Sequence, residues 1–164
     1  MSSYLRPITK ENPYKLVFVC LGNICRSPTG EGIFIHKVNE AGLESYFYID
    51  SSGTAAYHTG ERADRRSQET ANDHGIRLPS IARRFEYADL EEFDLILAMD
   101  SSNLKNILDI DKKGKYSDKV KLLREFDPIP DPYYGGAMGF ENVFQMVERS
   151  CDTLLNELKE YIQD

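Results

Sequence analysis

The segment that most restricts the fold is Lys15-Leu16-Val17-Phe18-Val19, together with the loop and helix start just after it. A short, nearly uninterrupted apolar run rich in β-branched residues suits a strand buried on both faces, as in a parallel sheet. The run stops at Cys20. Next comes a loop holding Gly22 and Asn23, two residues that tolerate left-handed backbone angles. Ser27-Pro28 then reads as a helix start, Ser as cap and Pro at the first helical position. A helical stripe of Ile33, Phe34, Lys37, Val38 and Ala41 comes after it, and Gly42 closes the helix.

The same alternation continues down the chain. Residues 46–49 predict a second strand, ending in Asp50-Ser51-Ser52-Gly53. A helix is expected over 62–74, stopped by Gly75, with a loop from Pro79. A strand over 93–99 ends at Asp100-Ser101-Ser102, whose polar side chains start a helix over 102–108. Residues 120–123 predict a fourth strand, 127–139 a long Pro- and Gly-rich loop, and 140–162 a final helix. The expected architecture is an α/β three-layer sandwich: a four-stranded parallel sheet flanked by helices, with a phosphate-binding loop after the first strand. One domain is expected over 14–164, preceded by a polar arm over 1–13. In such sheets ligands sit beyond the carboxyl ends of the strands.

Composition narrows the function. The 164 residues carry 20 Lys and Arg against 27 Asp and Glu, a net charge of −7. An acidic surface argues against bulk binding to nucleic acid or an anionic membrane, while leaving room for one positive pocket. No apolar run reaches the ~18 residues of a membrane span, and Met1 to Asn12 has no signal-peptide core. Three cysteines, with no Cys-x-x-Cys, fit neither a disulfide-built secreted domain nor a structural zinc site. The expectation is a cytoplasmic protein without metal or cofactor.

The loop Cys20-Leu21-Gly22-Asn23-Ile24-Cys25-Arg26-Ser27 carries the chemistry. Between a strand and a helix it can turn consecutive backbone N–H groups towards one anion, backed by the helix N-terminus. Arg26 offers a planar fork for two phosphate oxygens. Cys20, facing the same positive spot, is favoured as a thiolate nucleophile, and Ser27 can donate its hydroxyl to the sulfur. The Walker pattern is absent, so ATP binding is not expected. Phosphate-ester cleavage also needs an acid for the leaving group. Asp131, between Pro130 and Pro132, is the candidate, and Asp127, also followed by Pro, is its rival.

The string CLGNICRSP over residues 20–28 resembles the signature of the low-molecular-weight protein tyrosine phosphatases. The resemblance extends through Ile49-Asp50-Ser51, the loop at Tyr57, His74-Gly75-Ile76, residues 98–103 and Asp131-Pro132-Tyr133-Tyr134-Gly135. It implies a two-step hydrolysis of aryl phosphate monoesters. Cys20 attacks, Arg26 and the amides of residues 21–27 hold the phosphate, and Asp131 is acid and then base. It further implies that Asn23 is held by Ser51 among others, and that His74 braces the loop with Glu31 near it. Asp100 is expected to pair with Arg26 or to cap a helix. Leu21, Tyr57, Tyr133 and Tyr134 are expected to line the entrance, and Cys25 to form a reversible disulfide with Cys20 on oxidation. Expected partners are a phosphotyrosine protein or a small aryl phosphate, the chain acting as a monomer or weak dimer.

Four alternatives are open. Arsenate reductases of this fold need two further cysteines near residues 77–90, which hold none. Arginine phosphatases carry Thr where Ile24 stands. A phosphate-binding module would be expected to lack the nucleophile or the acid. A phosphocysteine carrier would need no Asp131 and a partner protein.

Overall fold

The computed structural model describes residues 4–133 and 136–163. Its centre is a parallel sheet of β1 (Tyr14–Cys20), β2 (Phe47–Gly53), β3 (Leu95–Ala98) and β4 (Val120–Leu122), in the order β2-β1-β3-β4. The helices are α1 (Arg26–Glu40), α2 (Arg65–Asp73), α3 (Tyr87–Glu92), α4 (Ser101–Ile110) and α5 (Ala137–Lys159).

β1 shows why the first apolar run has almost no polar break. Leu16, Phe18 and Cys20 face one cluster, with Ile33 and Phe34 of α1 and Val143, Phe144 and Val147 of α5. Val17 and Val19 face another, with Leu90 of α3, Ile107 of α4 and Phe93. A strand buried on both faces needs apolar residues at every position, and the result is the expected three-layer sandwich. Helix α1 lies close to the sheet because Gly30 is small: a Cβ there would sit 2.6 Å from the Phe18 ring.

Several boundaries differ from the sequence expectation. β2 runs through Asp50-Ser51-Ser52 to Gly53, because the whole segment pairs with Val17–Cys20 of β1. Pairing across the sheet outweighs the turn character of these residues. α1 starts at Arg26 with Cys25 at its cap, slightly earlier than Ser27-Pro28 suggests. The Ser27 hydroxyl is not a cap, since it faces Cys20. Helix α3 was not expected. It is six residues long, too short for a periodic signal, and is closed by reciprocal contacts between Glu86 and Asp89.

Residues 4–13, read as a polar arm, pack along the body. Ile8 is fully buried and bridges Ile162 in parallel. Arg6 grips both carboxylate oxygens of Asp94 at 2.9 and 2.8 Å, and the Tyr14 hydroxyl donates to Tyr4 O. The connections from β1 reach β2 on one side, with β3 on the other, so the sheet order reverses at β1. Cys20 stands at its carboxyl end, where open α/β sheets bind ligands.

Candidate active site

The loop after β1 is held from outside and open to its centre. Thr54 N donates to Cys20 O and Ala55 N to Leu21 O, both at 2.9 Å. Among the described residues, none of the backbone N–H groups of Leu21 to Cys25 donates a hydrogen bond. Amides in a largely buried loop seldom go unpaired, and a row of them suits an anion. The approach to β2 is so close that Gly53 cannot carry a side chain: a Cβ there would lie 2.7 Å from Leu21 O.

Asn23 fixes the loop. It takes a left-handed backbone, φ 58°, and is buried. Its Nδ2 donates to Ser27 Oγ at 2.9 Å and Ser51 Oγ at 3.0 Å, while its Oδ1 accepts from Arg83 N at 3.0 Å. Ser27 Oγ lies 3.0 Å from Cys20 Sγ. Because Asn23 donates to Ser27, the one serine proton is left for the sulfur or for Ser52 O, which lies 3.3 Å away. Ser51 in turn donates to Glu31 at 2.5 Å. Burial pushes the Glu31 carboxyl up to about 7, with the Ser51 bond opposing that rise.

Arg26 is 3% exposed and is tied along one edge. Its Nη1 donates to Asp100 at 2.6 Å and to Ile129 O at 2.9 Å, and its Nη2 lies 3.9 Å from Asp131. Asp100 does both things expected of it: one oxygen pairs with Arg26, and the other caps α4 through Asn103 N. Asp131 accepts from Tyr133 N at 3.0 Å and is 42% exposed.

These groups meet in a pocket of about 310 Å³ lined by Cys20, Leu21, Gly22, Ile24, Cys25, Arg26, Tyr57, His58, Asp131 and Tyr133. Asp127, the rival acid, is outside it and binds Arg124 at 2.9 Å. Burial pushes the Cys25 thiol up to about 12, the nearby Asp64 charge adding to it. Tyr134 lies outside the described residues. His74 requires a correction: it is not at the phosphate loop. Its Nε2 faces Glu141 at 2.9 Å and its ring stacks on Phe144, because α2 packs on α5 there, and Ser51 takes the place beside Glu31. Three residues were missed. His58 lines the pocket and is held by Glu61 at 2.9 Å; its neighbour Tyr57 was the only signal. Arg66 stacks over both Tyr133 and Phe140, and Arg83 pairs with Asp50 and Asp89 while bonding Asn23. Their roles depend on contacts distant in sequence.

Residues 15–164 match the family described as low molecular weight phosphotyrosine protein phosphatase. The chain belongs to that family. It is 44% identical over 148 residues to the low molecular weight phosphotyrosine protein phosphatase of Schizosaccharomyces pombe, covering 85% of this chain and 94% of the relative. It resembles a protein tyrosine phosphatase crystal structure from Entamoeba histolytica with Hepes in the active site. That match has a TM-score of 0.84 and 36% identity, over 90% of this chain and 97% of the other. A Drosophila arginine phosphatase matches with a TM-score of 0.82 and 32% identity, over 88% and 98%. The fold expectation holds, and the protein is a hydrolase of phosphoric monoesters, a protein-tyrosine phosphatase.

Proposed function

We propose that Cys20 is the nucleophile of a two-step phosphoryl transfer through a phosphocysteine. The observation that carries this reading is the convergence of the Cys20 sulfur, unpaired loop amides, Arg26 and Asp131 on one pocket. Cys20 attacks phosphorus in line while the amides and the free edge of Arg26 take the equatorial oxygens. Asp131 protonates the departing phenol oxygen, then removes a proton from the water that splits the phosphorus–sulfur bond. Ser27 donates to the sulfur as it leaves. Leu21, Tyr57 and Tyr133 wall a slot suited to a flat ring, the substrate being a phosphotyrosine protein or a small aryl phosphate. Asn23, Ser51 and Asp100 position the cradle.

The bulk of Ile24 against the pocket favours the aryl over the arginine substrate. The same geometry supports redox control. Peroxide converts the Cys20 thiolate to a sulfenic acid; the Cys25 thiol then condenses with it, releasing water and forming a disulfide that a thiol reductant reopens. Burial keeps Cys25 a neutral thiol, so Cys20 alone attacks phosphate. Three free cysteines support a reducing, cytoplasmic setting. Every group named comes from one chain, so a monomer or weak dimer suffices.

The test is hydrolysis of para-nitrophenyl phosphate with chelator present, compared with a phosphoarginine peptide. Cys20→Ser is expected to lose at least about 10⁴-fold in kcat. Turnover surviving in that variant, or a preference for phosphoarginine, overturns the reading. For the redox arm, Cys25→Ala is expected to recover less activity than the wild type after peroxide and then reductant.

A further inference from the structure

The pocket around Cys20 is not the largest among the described residues. A groove of about 430 Å³ runs between β4 and α5 and shares no lining residue with it. Leu122 and Leu123, with Leu154 of α5, are partly exposed and line its apolar part, and Lys121, Arg124 and Arg149 supply cations. In a chain of net charge −7, three cations around one apolar groove call for a reason.

The carboxylates there are mostly engaged. Asp127 is taken by Arg124 Nη2 at 2.9 Å, and Glu157 accepts from the Tyr4 hydroxyl at 2.9 Å; Glu125 is exposed at the rim. The cations are less well served. Arg149 is exposed and makes no ion pair or side-chain hydrogen bond among the described residues. Arg124 Nη1 is shut off from solvent with no hydrogen-bond partner. A charged nitrogen that is both desolvated and unpaired costs stability, so a shift of the Arg124 side chain that turns it towards an acceptor in the groove is favoured. Phe126, next to Arg124, is 93% exposed, an apolar ring with nothing packed over it.

We infer that this groove binds an anionic amphiphile: a molecule with an apolar body and a single carboxylate head. The leucines take the body, and Arg124 and Arg149 take the head, their planar forks matching two oxygens of such a group. The volume lies in the ~300–1,000 Å³ range of small-molecule sites. The groove also abuts the catalytic apparatus by chain connection. Its wall, residues 124–127, continues into Ile129, whose carbonyl holds Arg26, and into Asp131.

The test uses decanoate below its micelle-forming concentration, titrated calorimetrically at fixed ionic strength with excess inorganic phosphate filling the Cys20 pocket. One saturable site is expected, present with or without phosphate. Arg149→Gln is expected to weaken it by about tenfold, Arg149→Lys to recover part of the loss, and decanol to bind about tenfold more weakly than decanoate. Arg149 is an exposed residue of α5, so para-nitrophenyl phosphate turnover by Arg149→Gln is expected at the wild-type rate. Absence of saturable binding overturns the inference. So does displacement by phosphate, equal affinity for decanol, or indifference to Arg149→Gln. Decanoate binding by Cys20→Ser separates this inference from the catalytic one, since it is expected to survive there.

Discussion

The two loops that meet at the pocket are built in opposite ways. Residues 20 and 23–27 are buried, with only Leu21 exposed at the rim: the Asn23 side chain has three hydrogen bonds, and Ser27 and Ser51 are both engaged. The segment bearing Asp131 is exposed, and the described contacts of that carboxylate are one backbone N–H two residues on and a loose pairing with Arg26. A cradle for an anion gains from fixed dipoles, since no reorganisation is left for the moment of reaction. In the proposed mechanism the acid serves first the leaving group and then the attacking water, and a lightly tethered loop allows that. Stability is therefore invested in the first loop and adaptability in the second.

This contrast can be broken experimentally. Asp131→Asn is expected to lower kcat by about 10²–10⁴-fold, more for poorer leaving groups, with stability changed by less than about 0.5 kcal/mol. Rates measured over a series of aryl phosphates, with a thermal melt, check both halves; equal losses along the series contradict an acid. Asn23→Ala reverses the pattern of stability. It leaves Ser27, Ser51 and Arg83 N without their partner and places Ala at positive φ, a loss of about 2–4 kcal/mol in chemical denaturation. If that variant unfolds like the wild type, the first loop is not held as described.

The smallest effect sharpens the comparison by pH. Burial raises the Glu31 carboxyl from its ordinary 4.5 to about 7. The folded state thus binds that proton more tightly than the unfolded state. The stability linked to it is full below pH 4.5 and is lost as pH rises through about 7. Glu31→Gln keeps an acceptor for Ser51 and removes the titration. Its stability relative to the wild type is therefore expected to rise between about pH 5 and pH 8, read from denaturation midpoints.

The first loop was also the more legible in sequence, for the same physical reason. Its residues work on each other over a short stretch of chain, so Cys20, Asn23, Arg26 and Ser27 could be read together. β1 was legible because burial on both faces leaves a continuous apolar run. What escaped depends on long-range contacts. His74 could not be placed without knowing that α2 packs against α5 at Glu141 and Phe144. The docking of residues 4–13 rests on Arg6 meeting Asp94 and Ile8 meeting Ile162, partners so distant in the chain that no local pattern reveals them. The strand character of Asp50–Gly53 likewise came from its partner strand.

The pairing of Arg26 with Asp100 has a consequence for the end of the catalytic cycle. The guanidinium has a counter-charge within the protein itself, a carboxylate at 2.6 Å that does not belong to the substrate. Inorganic phosphate can therefore depart without leaving a bare, desolvated cation behind, a penalty that would otherwise hold the product in place. The same carboxylate begins α4 and accepts from Asn103 N, so the helix holds the counter-charge in place.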